Sequence, residues 1–284
     1  MVSQPFELNF HIVDCKECLM SETGKNKGSR EAIGNYEVSR DGLKTRREVL
    51  MMGAVAAAGL GVAGMAAQAA PAVAPASKEL YTARDFSGLV AKKMEGLSAS
   101  QIEQHLKLYK GYVGKSNEIA AKLKEVDITS ANATYSPLRE LLMEQSFAVN
   151  GVIYHELYFG NLGGAGTEPT GALKSSLEER FGSVGKFMDF LKASGKSMRG
   201  WVVVGYNLRG GFIDTFGLDT HNIWSPAGFV PLLVLDVYEH AYMVDYGIDR
   251  AKYLDAFAGN IDWKVVAKRL SAVSKYPSGL DLTV

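Results

Sequence analysis

Ionisable side chains crowd the chain directly behind a short apolar run. Residues 230–235 read Val-Pro-Leu-Leu-Val-Leu, a composition typical of a buried strand. Residues 236–254 then hold three aspartates, one glutamate, one histidine and four tyrosines. Charged groups at the end of a buried strand cost free energy, and they usually persist because they bind one another, a metal or a partner. The spacing Asp236-x-x-x-His240 in this segment is therefore the first candidate for chemistry.

The histidines of the chain are few, and most fall on positions that could face a core. The five are His11, His105, His155, His221 and His240. One buried histidine is more often a satisfied core residue than a metal ligand. Two on the apolar faces of separate predicted helices, His105 and His155, change that balance when Asp236 and His240 are added. Three imidazoles and one carboxylate suit iron, manganese or zinc, with a position left open for water or substrate.

Helical periodicity and turn residues indicate the elements that must position these side chains. Apolar residues recur at three- and four-residue steps over residues 97–124 and 138–162, which predicts two long helices. Four glycines and a proline in residues 163–171 predict a break. Beyond it the sequence predicts helices over 173–181, 184–194, 249–257 and 262–273, and strands over 200–207, 211–216 and 230–235. Glycine and asparagine turns favour antiparallel pairing, so we expect an α+β fold with a helical hairpin at 77–162 and an α+β domain at 163–284.

Composition excludes several classes of function. The 284 residues are 47% hydrophobic and 22% charged, with a formal net charge of zero, as expected for a globular protein. A formal net charge of zero lacks the excess of basic residues that nucleic-acid binders usually carry, which argues against nucleic acid as a partner. In the mature region no GxGxxG motif opens a helix, no GxxxxGK precedes serine or threonine, and the GxSxG motif of esterases is absent. Phosphate chemistry and the commonest serine hydrolysis are therefore not expected.

The first 76 residues have the composition of an export leader. Arg46 and Arg47 precede residues 51–70, which are almost entirely small or weakly apolar, and this order resembles a twin-arginine export signal. Cleavage is expected after Ala69, with Ala76 as the second candidate. The apolar run could span a bilayer, but its glycines make it a poor membrane anchor. We therefore expect recognition by the twin-arginine machinery, a periplasmic or extracytoplasmic location in a bacterium, and no stable membrane association after cleavage.

The only cysteines, Cys15 and Cys18, stand in this leader with two residues between them. A single pair of this kind, without a second pair or a nearby βαβ pattern, is weak support for a zinc or redox site. Removal of the leader would leave a mature domain without cysteine or disulfide. The unusual length ahead of the arginine pair leaves Met20 open as the translation start.

The segment behind the apolar run resembles one known family. Residues 236–242, Asp-Val-Tyr-Glu-His-Ala-Tyr, are similar to the DVWEHAY signature of the iron/manganese superoxide dismutases, and the match continues through residues 262–269. Residues 168–171, Glu-Pro-Thr-Gly, resemble the interdomain segment of that family, and residues 199–201, Arg-Gly-Trp, resemble its GW strand. The resemblance covers residues 80–275 and implies a helical hairpin followed by an α+β domain with a three-stranded antiparallel sheet.

The resemblance also implies a metal centre and a reaction. Its ligands would be His105, His155, Asp236 and His240, which hold one iron or manganese ion per subunit. In this family the metal alternates between the +3 and +2 states, so that one superoxide is oxidised to oxygen and the next is reduced to hydrogen peroxide. No organic cofactor is implied. The sequence does not choose between iron and manganese, because the potential depends on hydrogen bonds and charges around the bound solvent.

Around these ligands the chain departs from the family pattern. The family presents a glutamine to the bound water from one of two positions, and here these are Gly151 and His221. A neutral His221 could replace the glutamine, although its titration would add pH dependence; the alternative is a surface loop histidine. The family's tyrosine near the metal is expected at Tyr112, or at Val113 if no residue is deleted, and we favour Tyr112. Tyr112 and His221 are therefore the expected catalytic residues.

One contact across the family's dimer has also changed. The tyrosine usual after the signature histidine is Met243 here, and the histidine that it meets from the other subunit is replaced by Leu108 or Tyr109. Glu239, which in the family pairs with the ligand histidine across the dimer, is retained. The resemblance therefore implies a homodimer or a larger homo-oligomer with an altered substrate gateway.

Three functions fit these residues. The leading one is an exported superoxide dismutase with iron or manganese. Another mononuclear iron or manganese redox enzyme, acting on peroxide, would use the same ligands, and a binding protein would keep the metal as a staple or store without turnover. The pocket wall does not separate them, because Trp201 and Tyr238, which replaces a family tryptophan, fit either a pocket wall or plain core packing.

Overall fold

The computed structural model describes residues 79–275. The predicted leader, with Arg46, Arg47 and both cysteines, lies outside the described residues. Within residues 79–275, no helix combines the length and the apolar character that crossing a membrane requires.

Two long helices pack against each other in the first part of this range. The bounds are α1 (Gly88–Ala91), α2 (Ala99–Lys122) and α3 (Pro137–Gly160). The Ser98 and Ser136 side chains cap α2 and α3 by accepting backbone N–H groups of the first turn, and Pro137 takes the first position of α3. These caps start the two helices near the beginnings of the predicted ranges 97–124 and 138–162, and the helices also end within two residues of them. The predicted helical hairpin is confirmed.

Short helices surround a three-stranded sheet in the second part. The bounds are α4 (Gly171–Phe181), α5 (Val184–Ser197), β1 (Trp201–Asn207), β2 (Phe212–Leu218), β3 (Phe229–Asp236), a 3-10 turn (Glu239–Ala241), α6 (Met243–Tyr246), α7 (Arg250–Gly259) and α8 (Trp263–Val273). Strand β1 is central and pairs antiparallel with β2 and β3. Pro231 lies on edge strand β3 at a register shift opposite Gly205, since proline cannot donate to a ladder. The predicted α+β fold is confirmed, and its division into two domains at residue 163 stays a prediction.

Strand β3 connects the sheet to the helical hairpin. It packs against α3 and α8, and its residues from Leu232 to Asp236 are buried. Arg269 of α8 donates to the Leu232 carbonyl at 2.7 Å and to the Leu157 carbonyl at 3.0 Å. One guanidinium, whose pKa burial lowers to about 10, thus ties α8, β3 and α3 together. The end of β3 is thereby held against the inner face of the hairpin.

Residues 236–246, here called the signature segment, fold into two elements that periodicity does not predict. The 3-10 turn and α6 contain three and four residues, which is too short for a periodic apolar pattern. Tyr242 lies between them with φ −144° and ψ −17°, so the chain leaves its helical course at that residue.

Candidate metal centre

Asp236, the last residue of β3, has a fully buried carboxylate. Its Oδ1 accepts a hydrogen bond from the Tyr238 backbone N–H at 2.9 Å, which fixes the rotation of the carboxylate. Its backbone carbonyl accepts a hydrogen bond from the Tyr253 hydroxyl at 2.6 Å. Oδ2 is left facing the histidines and lies 3.1 Å from both His105 Nε2 and His240 Nε2.

His155 presents a lone pair to the same point. Its ring is buried, and Nδ1 lies 2.5 Å from the carbonyl of Gly151, one turn earlier in α3. A carbonyl oxygen only accepts, so Nδ1 carries the hydrogen and Nε2 keeps its lone pair. Nε2 is 3.7 Å from Asp236 Oδ2 and has no hydrogen-bond partner among the described residues. A buried acceptor without a donor is expected of a metal ligand.

Four potential ligand atoms converge at the end of β3. The residues are His105 of α2, His155 of α3, Asp236 of β3 and His240 of the 3-10 turn, and their ligand atoms lie within 4.8 Å of one another. Atoms that each bind a first-row metal at about 2.1 Å stand roughly 3 to 4 Å apart. The three distances to Asp236 Oδ2 are 3.1, 3.1 and 3.7 Å. The donor set fits iron, manganese or zinc, and it unites the four residues that the sequence names as ligands.

Burial and charge set the protonation states of this centre. Burial alone would raise the pKa of Asp236, but the charge of His240 and hydrogen bonds from His105 and His240 outweigh it and lower that pKa. Burial lowers the pKa of His105 and, more strongly, the pKa of His155. The centre therefore combines an ionised carboxylate with two imidazoles, those of His105 and His155, that burial favours in the neutral form required for metal binding.

His221 is buried beside the centre and uses both ring nitrogens. Trp201 Nε1–H donates to His221 Nδ1 at 2.8 Å, and an indole nitrogen can only donate. His221 Nε2 therefore carries the ring hydrogen and donates it to the Tyr112 hydroxyl at 2.8 Å. Burial lowers the pKa of His221 to about 4, so the ring is neutral at neutral pH. At 1% exposure, His221 is not the surface loop histidine that the sequence left as an alternative.

The Tyr112 ring fills the space next to Gly151. Its centroid is 5.3 Å from the ring of His155 and 4.8 Å from the ring of His221. A Cβ atom on Gly151 would lie 2.8 Å from Tyr112 Cδ1, so glycine is what leaves room for the tyrosine. The structure thus places Tyr112 beside the centre, while Val113 is buried in the hydrophobic core.

Trp201 and Tyr238 contact the histidines directly. The Trp201 ring meets the edge of His155 with centroids 5.0 Å apart. The Tyr238 ring stacks on His240 at 5.1 Å and lies 5.1 Å from His221. Both residues therefore belong to the wall of this site as well as to the packing around it.

Comparison with known proteins agrees with this geometry. Residues 169–269 match the family model described as iron/manganese superoxide dismutases, C-terminal domain. The chain is 45% identical to "Superoxide dismutase [Fe]" of Aquifex pyrophilus over 193 residues, which cover 66% of this chain and 90% of that protein. It is 39% identical to "Superoxide dismutase [Fe]" of Cupriavidus metallidurans, with 65% and 94% covered. It is 33% identical to "Superoxide dismutase [Mn]" of Mycolicibacterium smegmatis, with 62% and 85% covered.

The chain belongs to the iron/manganese superoxide dismutase family. Tyr109 is one of the two residues, with Leu108, that the resemblance places where the family has a histidine facing the other subunit, and it is buried. Tyr109 donates its hydroxyl hydrogen to Glu156 at 2.9 Å and accepts the Arg84 backbone N–H at 2.8 Å. Arg84 Nε also pairs with Glu156 at 2.8 Å. Burial raises the pKa of Tyr109 to about 12, so the phenol stays protonated. Met243, expected on the other side of this contact, is exposed, and so is Glu239, which the resemblance pairs with the ligand histidine of the other subunit.

Several neighbours of the centre escape sequence reasoning. Glu156 could have been noticed, because a carboxylate directly after His155 interrupts an apolar helix face. Asn150 donates to the His221 carbonyl at 2.9 Å, and the Phe147 ring lies 4.4 Å from the His221 ring. Gln101 is buried, although its neighbours along the helix, Ser100, Glu103 and Gln104, are polar and exposed. Nothing in the sequence distinguishes Asn150, Phe147 or Gln101 from other helix positions.

Replacing Gly151 with alanine should disturb Tyr112. Alanine in a helix interior ordinarily stabilises a protein by about 1 kcal/mol relative to glycine, but here the added Cβ meets the tyrosine ring. Gly114→Ala in α2 is the matched control, because an added Cβ there meets nothing within 4 Å. We expect urea denaturation to show a gain of up to about 1 kcal/mol for Gly114→Ala and no gain for Gly151→Ala. Equal gains would contradict the close contact between Gly151 and Tyr112.

Proposed function

We propose that this chain is a superoxide dismutase that holds one iron or manganese ion per subunit with His105, His155, Asp236 and His240. The convergence of their four ligand atoms at the buried end of β3 carries the proposal. Membership of the iron/manganese superoxide dismutase family supports the reaction. Relatives named for iron and for manganese both match, so the proposal includes either metal.

The metal and the protein divide the work of the reaction. Iron or manganese in this position supplies the one-electron exchange, between the +3 and +2 states, with which one superoxide is oxidised to oxygen and another is reduced to peroxide. Asp236 would contribute the negative charge that favours the higher oxidation state, and the buried imidazoles of His105 and His155, whose pKa values burial lowers, would bind without adding charge. The hydrogen bond from the Tyr238 N–H keeps the carboxylate turned toward the three histidines.

Tyr112 and His221 are the groups proposed to hold protons for the reduction of superoxide, which consumes two. His221 donates its Nε2 hydrogen to the Tyr112 oxygen, so the tyrosine's own hydrogen remains available to a molecule beside the centre. Burial, together with the charge of Asp236, raises the pKa of Tyr112, which keeps that hydrogen in place at neutral pH. Trp201 sets the direction of both hydrogen bonds, from Trp201 to His221 and from His221 to Tyr112, because its indole can only donate to His221.

The exposed part of the signature segment supports a homodimer. Glu239 and Met243 are exposed, and His240 is the one ligand whose side chain reaches the surface, at 28% exposure. The family pairs this glutamate with the ligand histidine of the other subunit. We infer that the same face forms a dimer here, with a gateway that Tyr109 and Met243 make different from the usual one.

The decay of superoxide tests the proposed reaction directly. The full-length chain, loaded separately with iron and with manganese and assayed for metal content, should accelerate decay in at least one loaded form. His240→Ala should lower that rate by more than about 100-fold, because one of the four proposed metal ligands is lost. Full metal occupancy with no decay above that of the free metal would contradict the dismutase and favour a binding or peroxide-linked role.

The Trp201→Phe variant tests the role of the hydrogen bonds that run from Trp201 to His221 and from His221 to Tyr112. Without the indole N–H, His221 is free to place its ring hydrogen on Nδ1 and no longer has to donate to Tyr112. We expect the rate of superoxide decay to fall by about 10-fold or more at unchanged metal content. Trp263→Phe is the control, since Trp263 packs against Phe187 in another part of the core. Equal rates for the two variants would show that the direction of the Trp201 hydrogen bond does not matter.

We further propose that the chain is exported in folded form by the twin-arginine machinery to the periplasm or another extracytoplasmic space. The support is the order of Arg46, Arg47 and the weakly apolar run in residues 51–70. Affinity for divalent metals rises from manganese and iron towards copper. A site of this kind is therefore safer if it folds around its metal inside the cell and leaves already loaded.

Replacing both Arg46 and Arg47 with lysine should keep the protein inside the cell. Cell fractionation of a bacterial host with a twin-arginine pathway measures the distribution, and Arg40→Lys is the control because Arg40 lies in the same leader ahead of the pair. We expect the control to be exported and the double variant to accumulate in the cytoplasm. Export of both proteins alike would contradict the twin-arginine route.

A further inference from the structure

The signature segment contains a helix break at an unusual place. His240 lies in the 3-10 turn and Val244 lies in α6, four residues further on. In a continuous helix the Val244 N–H would donate to the His240 carbonyl. Here the backbone turns at Tyr242, and the two groups find another partner.

That partner is the side-chain amide of Gln101, which is wholly buried. Gln101 Nε2 donates to the His240 carbonyl at 2.6 Å, and Gln101 Oε1 accepts the Val244 N–H at 3.1 Å. The amide therefore stands between the donor and the acceptor of one helical hydrogen bond and satisfies both. Insertion of a side chain into the helical ladder is a recognised cause of a kink.

Gln101 also belongs to the helix that carries another ligand. It lies four residues before His105 in α2, so the two side chains share one face of that helix. The start of α2 contacts the same segment again, because the Ser98 N–H donates to Asp245 Oδ2 at 2.8 Å. The backbone of His240 is thus held to the first turn of the helix that bears His105.

His240 is the ligand that most needs this support. The side chains of the other three are fully buried, whereas that of His240 is 28% exposed. One hydrogen bond to Asp236 and the stacked ring of Tyr238 orient its imidazole. Both contacts are kept only while the turn that carries His240 keeps its shape. A continuous helix from residue 240 to residue 244 would turn the ring relative to Asp236.

We propose that Gln101 is a positioning residue, a wedge whose amide keeps the turn at His240 open and thereby aims the His240 ring at the metal. This inference rests on the metal centre of the proposed function. Without the amide, either the His240 carbonyl and the Val244 N–H are left unpaired inside the protein, or the turn closes into a helix and moves the ring. Both outcomes loosen one of the four ligands.

The variants separate this role from ordinary stability. Gln101→Met keeps the volume of the side chain and removes both hydrogen bonds, and Gln101→Glu keeps an acceptor for the Val244 N–H but loses the donor to His240. Asn260→Leu is the matched control. Like Gln101, Asn260 is a buried amide with two hydrogen bonds to the backbone, but its partners are the carbonyls of Glu95 and Ala256, outside the metal site. The readouts are the free energy of unfolding, the rate of metal release to a chelator and the absorption spectrum of the iron-loaded full-length chain.

We expect Gln101→Met to release its metal about 10-fold faster than the parent or more, with a changed spectrum, and Gln101→Glu to show a smaller effect of the same kind. Asn260→Leu should lose stability yet keep the parental release rate and spectrum. If Gln101→Met does not fold, the metal release rate and spectrum of Gln101→Glu are compared with those of Asn260→Leu, and that comparison tests the positioning role. Metal release no faster than in Asn260→Leu would overturn the positioning role.

These readouts are independent of turnover. The parent chain could bind metal without accelerating superoxide decay, while the Gln101 variants release the metal faster. That result would support the positioning role of Gln101 and overturn the dismutase proposal. A parent chain that binds neither iron nor manganese would overturn both proposals.

Discussion

The buried carboxylate of Asp236 is the constraint on which the rest of this structure depends. An ionised group without exposure costs several kcal/mol unless donors or positive charge compensate it. One oxygen takes the Tyr238 N–H, and the other faces three histidines, two of which burial pushes towards the neutral form. In the proposed centre, a metal cation shared by the carboxylate and the imidazoles would supply the missing charge, which would explain why these side chains meet where β3 reaches the hairpin.

Hydrogen-bond direction organises the groups around that centre. Donation runs from Trp201 to His221 and on to Tyr112, and each step follows from which atom is able to donate. The same logic applies to His155, whose bond to the Gly151 carbonyl aims the free nitrogen at the site. His221, which the family resemblance places where other members have a glutamine, is a neutral donor to Tyr112, because burial lowers the pKa of His221 to about 4.

The sequence predicted the main helices and strands and the four converging residues, but not the side-chain contacts that connect these elements. The hairpin helices and the strand before Asp236 are long or apolar enough for their periodicity to be read, and the signature names Asp236 and His240 together. The role of Gln101 could not be predicted from periodicity, because it depends on one missing helical hydrogen bond, between His240 and Val244, that only the structure shows. The burial of His221 follows from packing between Trp201 and Phe147, residues distant in sequence, and loop position alone suggests exposure.

The most direct test of the central claim is anomalous X-ray diffraction at the iron absorption edge from crystals of the iron-loaded protein. The account predicts one anomalous peak per subunit within bonding distance of His105 Nε2, His155 Nε2, His240 Nε2 and an oxygen of Asp236. Iron bound at another place, with these four side chains hydrogen-bonded only to one another, would contradict it.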